Sequence, residues 1–315
     1  MALALPKHRA LAAVVGGFVA DAASMGLHWI YDPDKMKELV SAAPHPEFHE
    51  PPACPFYQYE SGVLSPYGDE VLPLLEDVAT RGAFVPEEFA LVSYRAAKAY
   101  KGRLNHVFRE LVTKGDAGAT YPNLATESKD LHGGIKVPVL VAKYLDDVST
   151  LVAKTKEATK VHQIGDEAEE AAVASALLLH QIVHGVSIRE AVASLTTNDQ
   201  VGSTTRATVQ EVLDAVAKKE FADATAAIDK YGKSCGLPGV LKGSLFVLLT
   251  SNGYVDAVRA NMVAGGDNCS RSILIGACAA AAAVTEGAMD PVPAEWKHKT
   301  KSYTQVQAFA ERLLT

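Results

Sequence analysis

The segment Ala264-Gly265-Gly266-Asp267-Asn268-Cys269-Ser270 sits between two helical patterns and combines residue types that chemistry often uses. Its two glycines permit backbone angles closed to most residues. Asp267 falls at the mouth of the following helix, where a carboxylate serves equally as a helix cap or as a ligand for a cation or substrate. Cys269 lies in the same first turn. A thiol there can ionise more readily, because the helix dipole favours thiolate, so nucleophilic or redox chemistry is one reading of it. A second segment, Ser65-Pro66-Tyr67-Gly68-Asp69-Glu70, also runs from loop into helix. Its adjacent carboxylates can face a cation together, or act as first-turn acids that complement the dipole.

The histidines divide in the same way. His28 next to Trp29 offers a surface on which a base or ribose can stack, or simply a buried aromatic pair. His132-Gly133-Gly134 can bring backbone amides close to a phosphate. His180 and His184 have the i, i+4 spacing of zinc-binding helices, but Gln181 stands where a zinc protease carries its glutamate, which argues against zinc. His162 precedes an alanine-rich helix and reads as a residue locking the loop onto the helix start.

These residues need a helical frame. Apolar spacing from Pro6 through Leu11, Val14, Val15, Phe18 and Val19 predicts a first helix. Gly16 and Gly17 inside it each cost roughly 1 kcal/mol against alanine, so something must pack close to that backbone. Residues 43–68 and 115–134 read as long loops carrying function. Between and after them, helices are expected at 69–80, 86–100, 105–114, 136–145 and 148–158, and most clearly at 163–183, where Gly185 gives a stop. Further helices are expected at 188–195, 204–218, 222–231, 239–249 and 254–263. The segment Ser270–Glu286 is apolar nearly all round, as a helix buried on most sides should be. With no internal repeat and no linker, the chain reads as one domain over residues 1–315.

Alanine-rich composition, 7% aromatic residues and 48% hydrophobic residues lean towards a helical chain with an ample core. Net charge is −7, from 37 acidic and 30 basic residues with no long basic run, which excludes electrostatic binding to nucleic acid as a general mode. A phosphorylated small molecule is still allowed, since helix N-termini and amides hold phosphate without net positive charge. Four scattered cysteines without a CxxC pair fit a reducing compartment, so the cytoplasm is expected. The stretch from Leu11 to Ala20 is too short to span a bilayer, and no membrane partner is expected. No exposed coiled-coil pattern demands a dimer, and oligomeric state stays open.

Taken in order, Gly16-Gly17-Phe18-Val19-Ala20-Asp21-Ala22, Gly68-Asp69-Glu70, Thr159-Lys160-Val161-His162 and Gly265-Gly266-Asp267-Asn268-Cys269-Ser270 resemble the ADP-ribosylglycohydrolase family. A Pro-x-Pro-x-x-Trp ending at Trp296 extends the resemblance over nearly the whole chain. Ser65-Pro66-Tyr67-Gly68-Asp69 with Gly-Gly-Asp-Asn-Cys-Ser is most similar to the lens J-crystallin and selenoprotein J branch.

The resemblance implies an all-α, orthogonally packed multi-helix domain with a central cleft holding two magnesium ions. Asp69, Asp267 and Ser270 then correspond to cation ligands, and Asp21 to the acid of the N-terminal segment. Asp21, Asp69 or Glu70 would activate water. His28, Tyr67, His132, Gly133, Gly134, Gly265 and Gly266 would contact substrate. The pattern also departs from the family. Cys269 replaces an expected acid with a ligand too soft for magnesium, and Tyr67-Gly68-Asp69 replaces Thr-Asp-Asp. One magnesium, manganese or no metal at all therefore remain open. The implied activity is hydrolysis of an N- or O-glycosidic bond to ribose in an ADP-ribosylated or related small molecule. A catalytically retired, crystallin-like member and thiol chemistry at Cys269 are the alternatives.

Overall fold

The computed structural model describes residues 4–315 of the chain; the part of the N-terminal reading that falls on Met1–Leu3 lies outside the described residues. Seventeen α-helices make up its described part. They are α1 (Leu5–Ser24), α2 (Pro33–Ala42), α3 (Pro66–Arg81), α4 (Pro86–Ala99), α5 (His106–Asp116), α6 (His132–Ile135) and α7 (Val137–Lys143). After these come α8 (Val148–Lys160), α9 (Asp166–Val183), α10 (Ile188–Ser194), α11 (Ser203–Lys218) and α12 (Ala224–Tyr231). The last are α13 (Gly239–Thr250), α14 (Tyr254–Ala264), α15 (Asn268–Ala283), α16 (Ala294–Lys299) and α17 (Tyr303–Leu313). The only paired strands among the described residues are β1 (Thr126–Glu127) and β2 (Gln163–Ile164), which lie parallel. The fold is all-α.

Its centre is the crossing of α1 and α15, the most extensive helix contact in the molecule. Gly16 and Gly276 face each other there: a Cβ on Gly276 would lie 2.6 Å from the Gly16 carbonyl oxygen, and one on Gly16 would lie 2.9 Å from that of Gly276. This is the close approach that the helical glycines predicted, and the approaching partner is a second helix. Helix α15 is buried along almost all of its length, as its apolar composition required. The stretch Leu5–Leu27 is in fact long and apolar enough to cross a membrane, but 94% of its most apolar window is buried inside the fold. It forms a core helix.

Local signals set several boundaries. Ser65 caps α3, its Oγ accepting from the Tyr67 N–H at 3.1 Å, and Pro66 opens the helix one turn before the expected Asp69. Helix α9 starts at Asp166, not Gln163, because Gly165 at φ 149° breaks the chain after the two-residue strand. Helices α2, α16 and α17 were not anticipated, and α6 forms inside what reads as loop.

Candidate functional site

A cleft of about 280 Å³ opens beside the first turn of α15 and the start of α3. Asp267 and Tyr67 lie on its floor, with Asp130 and Cys235 beside them. Trp29, Tyr31 and Phe56 form an aromatic wall, and Arg103, His106 and Arg109 a basic one.

The loop before α15 is built to fix Asp267. Gly265 (φ 72°) and Gly266 (φ 64°) occupy left-handed backbone conformations that disfavour a side chain. Gly266 exchanges hydrogen bonds with the 29–30 segment, from Trp29 N to Gly266 O (2.8 Å) and from Gly266 N to Ile30 O (2.7 Å). A Cβ on Gly265 would lie 2.7 Å from the Ile30 carbonyl. The close approach that these glycines allow is therefore to the protein's own chain. Behind the loop lies Arg271, wholly buried, donating from Nε to Asn261 Oδ1 (2.7 Å) and from Nη2 to the Gly265 carbonyl (2.6 Å).

Asp267 is buried and fully engaged. Its Oδ2 accepts from the Tyr67 hydroxyl at 2.7 Å, and its Oδ1 from His28 Nε2 at 2.9 Å and the Ser270 N–H at 3.4 Å. Burial acts to raise its carboxyl, but hydrogen bonds from His28, Tyr67 and Trp29 outweigh this and hold it well below the usual carboxylate range. Burial lowers the His28 ring below its ordinary value against the opposing pull of Asp267. With its proton on Nε2, that ring donates to Asp267 and accepts from Tyr57 OH at Nδ1 (2.8 Å). Trp29 follows at φ 62°, rare for so bulky a residue, and so sets its indole against His28 (4.3 Å between centroids) and edge-on to Phe56 (5.5 Å). The Arg103 guanidinium covers both rings, 5.5 Å from Trp29 and 5.0 Å from Phe56.

Asp69, Asp267 and Ser270 do not form a ligand set. Asp69 lines a different cavity, of about 170 Å³, with Glu70, Tyr100 and Arg103. It accepts from Tyr100 OH at 2.9 Å, and burial raises it to about 6. Ser270 Oγ donates to the Asp267 carbonyl at 2.9 Å. Among the described residues no group of three or more His, Cys, Asp or Glu side chains is placed to hold a metal ion. Magnesium needs several oxygens converging in near-octahedral geometry, so these donors do not fit the implied metal centre.

Other expected site residues are placed elsewhere. Asp21 is wholly buried behind α3, accepting from Ser65 N (2.8 Å) and Ser65 Oγ (2.6 Å), and burial raises it to about 7. It lines neither cavity. Gly68 makes room for that carboxylate: a Cβ there would overlap Asp21 Oδ2. Cys269 is also wholly buried, its Sγ 3.8 Å from the Asp21 carbonyl, and burial pushes its thiol well above the ordinary value. The helix dipole is overruled there, so an accessible, activated Cys269 is not what the fold provides. Gly133 packs on Thr159 and Ala172, and Gly134 on Leu131, so neither backbone is open to a ligand on that side. His180 and His184 both bond the Leu145 carbonyl at 3.0 Å, as structural histidines. His162 bonds Ser93 Oγ at 2.8 Å and is buried.

His132 and Glu70 do come together. His132 Nδ1 lies 2.8 Å from Glu70 Oε2, and its Nε2 lies 3.7 Å from Asp130 Oδ2. Burial lowers His132, but the charge of Glu70, its hydrogen bond and the nearby charge of Asp130 raise it to about 9. Glu70 also accepts from Asn105. Asp130, Arg103, Asn105, His106, Arg109 and Cys235 were not singled out by the sequence reading. The available signal was Asp130-Leu131-His132, an acid two residues ahead of the histidine-glycine element, within a loop already expected to wall the pocket.

The ADP-ribosylglycohydrolase family model matches residues 3–315. Crystallin J1A of Tripedalia cystophora is 28% identical, the alignment covering 98% of this chain and 96% of the crystallin. Crystallin J1B of the same organism is 27% identical over 98% and 97% of the two chains. A solved structure described as an ADP-ribosylglycohydrolase-related protein complex superposes with a TM-score of 0.73 at 19% identity, covering 99% of each chain, which supports the fold alone.

Proposed function

The chain belongs to the ADP-ribosylglycohydrolase family, and from that premise we propose that its cleft binds an ADP-ribosyl-type small molecule and hydrolyses the N- or O-glycosidic bond at the ribose. The observation that supports this is the division of the cleft walls. Arg103, His106 and Arg109 suit a pyrophosphate, Trp29 and Phe56 suit a base, and the part-exposed Asp130 lies where ribose hydroxyls would reach a carboxylate. A net charge of −7 with a local basic wall fits a small anion and gives no support to nucleic acid as partner.

No step of this proposal runs through magnesium or manganese, because Asp69, Asp267 and Ser270 do not converge. Four unpaired thiols suit a reducing compartment, and the proposed setting is the cytoplasm. The test is release of the aglycone from an ADP-ribosyl glycoside by the purified protein, with and without EDTA. Turnover that survives EDTA supports the proposal; failure both to bind and to turn over the glycoside refutes it.

A second reading, a non-catalytic crystallin-like protein, is favoured by one observation: the acid that would ligate a cation is used up inside the fold by His28 and Tyr67. Binding without turnover would select it.

A further inference from the structure

Resting on the proposed glycosidic activity, we propose that Asp130, a residue outside every motif of the family resemblance, is the carboxylate that works on the sugar, positioned by His132 and Glu70. Asp267 has both oxygens committed to neighbours, whereas Asp130 is part-exposed at the cleft, with 26% of its side chain accessible. Its own hydrogen bonds leave capacity for a substrate. Cys235 Sγ approaches Oδ1 at 3.2 Å, and His132 approaches Oδ2 only at 3.7 Å.

The surroundings hold that carboxylate still. The Asp130 backbone pairs with Gly236, its N–H bonds Ser128 Oγ at 3.2 Å, and its carbonyl accepts from Gln163 Nε2 at 2.8 Å. Behind it, His132 is wedged between two carboxylates, and Glu70 is fixed from the other side by Asn105, itself a cleft residue. The series Asp130, His132, Glu70 thus runs from cleft to interior. Glu70 fixes the His132 ring through Nδ1, and the ring's Nε2, which has no hydrogen-bond partner among the described residues, faces Asp130 Oδ2 across an ion-pair distance of 3.7 Å. That is the preorganised support which a reacting carboxylate needs.

Cleavage of a glycosidic bond builds positive charge on the anomeric carbon, which an ionised carboxylate stabilises. Asp130 takes a proton from water as the water oxygen bonds to that carbon. The glycosidic bond breaks, its electron pair leaves with the aglycone, which takes up a proton from bulk water on the opposite face, and Asp130 releases its own proton to bulk water.

The test measures kcat and KM for an ADP-ribosyl glycoside with the wild type, Asp130→Asn and Asp130→Ala, and ADP-ribose binding by calorimetry. General acid–base catalysis predicts a fall in kcat of about 100-fold or more in Asp130→Asn with KM changed less than about threefold. Added formate should restore part of the rate in Asp130→Ala, which a merely structural residue would not show. Wild-type turnover with Asp130→Asn within threefold of it overturns the role of Asp130 alone. Wild-type binding without turnover also overturns that role and leaves the cleft as a ligand site. Absence of wild-type binding refutes the functional reading, and this inference with it.

Discussion

Replacing Asp267 by alanine in metal-free buffer separates an internal strut from a cation ligand. Truncation leaves the Tyr67 hydroxyl and His28 Nε2–H without an acceptor in a buried site and removes the cap on α15. Each of the two unpartnered buried donors costs about 1–3 kcal/mol and the cap about 1 kcal/mol, so the total loss is about 3–7 kcal/mol. An unfolding entropy of about 2.1 cal/mol/K per residue, over 315 residues, makes that a fall in Tm of about 5–11 °C. Asp267→Asn keeps an acceptor for Tyr67 but turns an amide towards the His28 donor, so it should fall by about half as much. The assay is thermal unfolding followed by circular dichroism in EDTA. A carboxylate waiting for a cation among other acids behaves in the opposite way, since removing it relieves repulsion. An unchanged or raised Tm for Asp267→Ala would refute the strut.

Other perturbations test separate parts of the structure. Gly276→Val pushes side-chain atoms against the Gly16 backbone, where even a Cβ would stand 2.6 Å from the carbonyl oxygen, and should destabilise by at least 1–3 kcal/mol, roughly, in denaturant unfolding. Gly68→Ala drives a methyl into the Asp21 carboxylate and should lower Tm in the same assay, whereas an exposed, open position such as Gly82 should tolerate alanine's bulk despite its backbone strain. His132 is raised to about 9 from an ordinary 6.5, so its contribution is fully present below pH 6.5 and lost as pH rises through about 9. Lys136, lowered by burial to about 7, gains stability over an overlapping window, so the readout is the difference between wild type and His132→Asn, which should shrink from pH 6.5 to pH 9. Cys269 should resist a mild alkylating reagent in the native protein and react only on unfolding, as peptide mapping by mass spectrometry would report.

Much of the frame was legible because it rests on periodicity. The apolar run of α15, the paired glycines of α1 and the apolar spacing of α9 all carry their burial in their pattern. The missed helices had signals too: Asp32 before Pro33 is a cap and opening residue for α2, and Val306, Ala310 and Leu313 recur at helical spacing in α17. What sequence could not supply was the direction in which a side chain points. Asp267 and Asp69 lie in similar loop-to-helix segments, yet one turns into a His–Tyr cage and the other into a separate cavity. Cys269 stands in a helix's first turn, where sequence suggests activation, but the α1 backbone covers it. Asp130 owes its place to a bridge with Gly236, a pairing across about a hundred residues that no local pattern encodes.

The most direct test is a calorimetric titration of ADP-ribose into the wild-type protein in EDTA, repeated on Trp29→Ala and Arg103→Ala. The aromatic and basic walls predict saturable one-to-one binding that weakens about tenfold or more in each variant, as loss of a stacking or charge-assisted contact worth about 1.5–3 kcal/mol requires. No heat of binding in the wild type, or binding that both variants retain undiminished, would contradict the account.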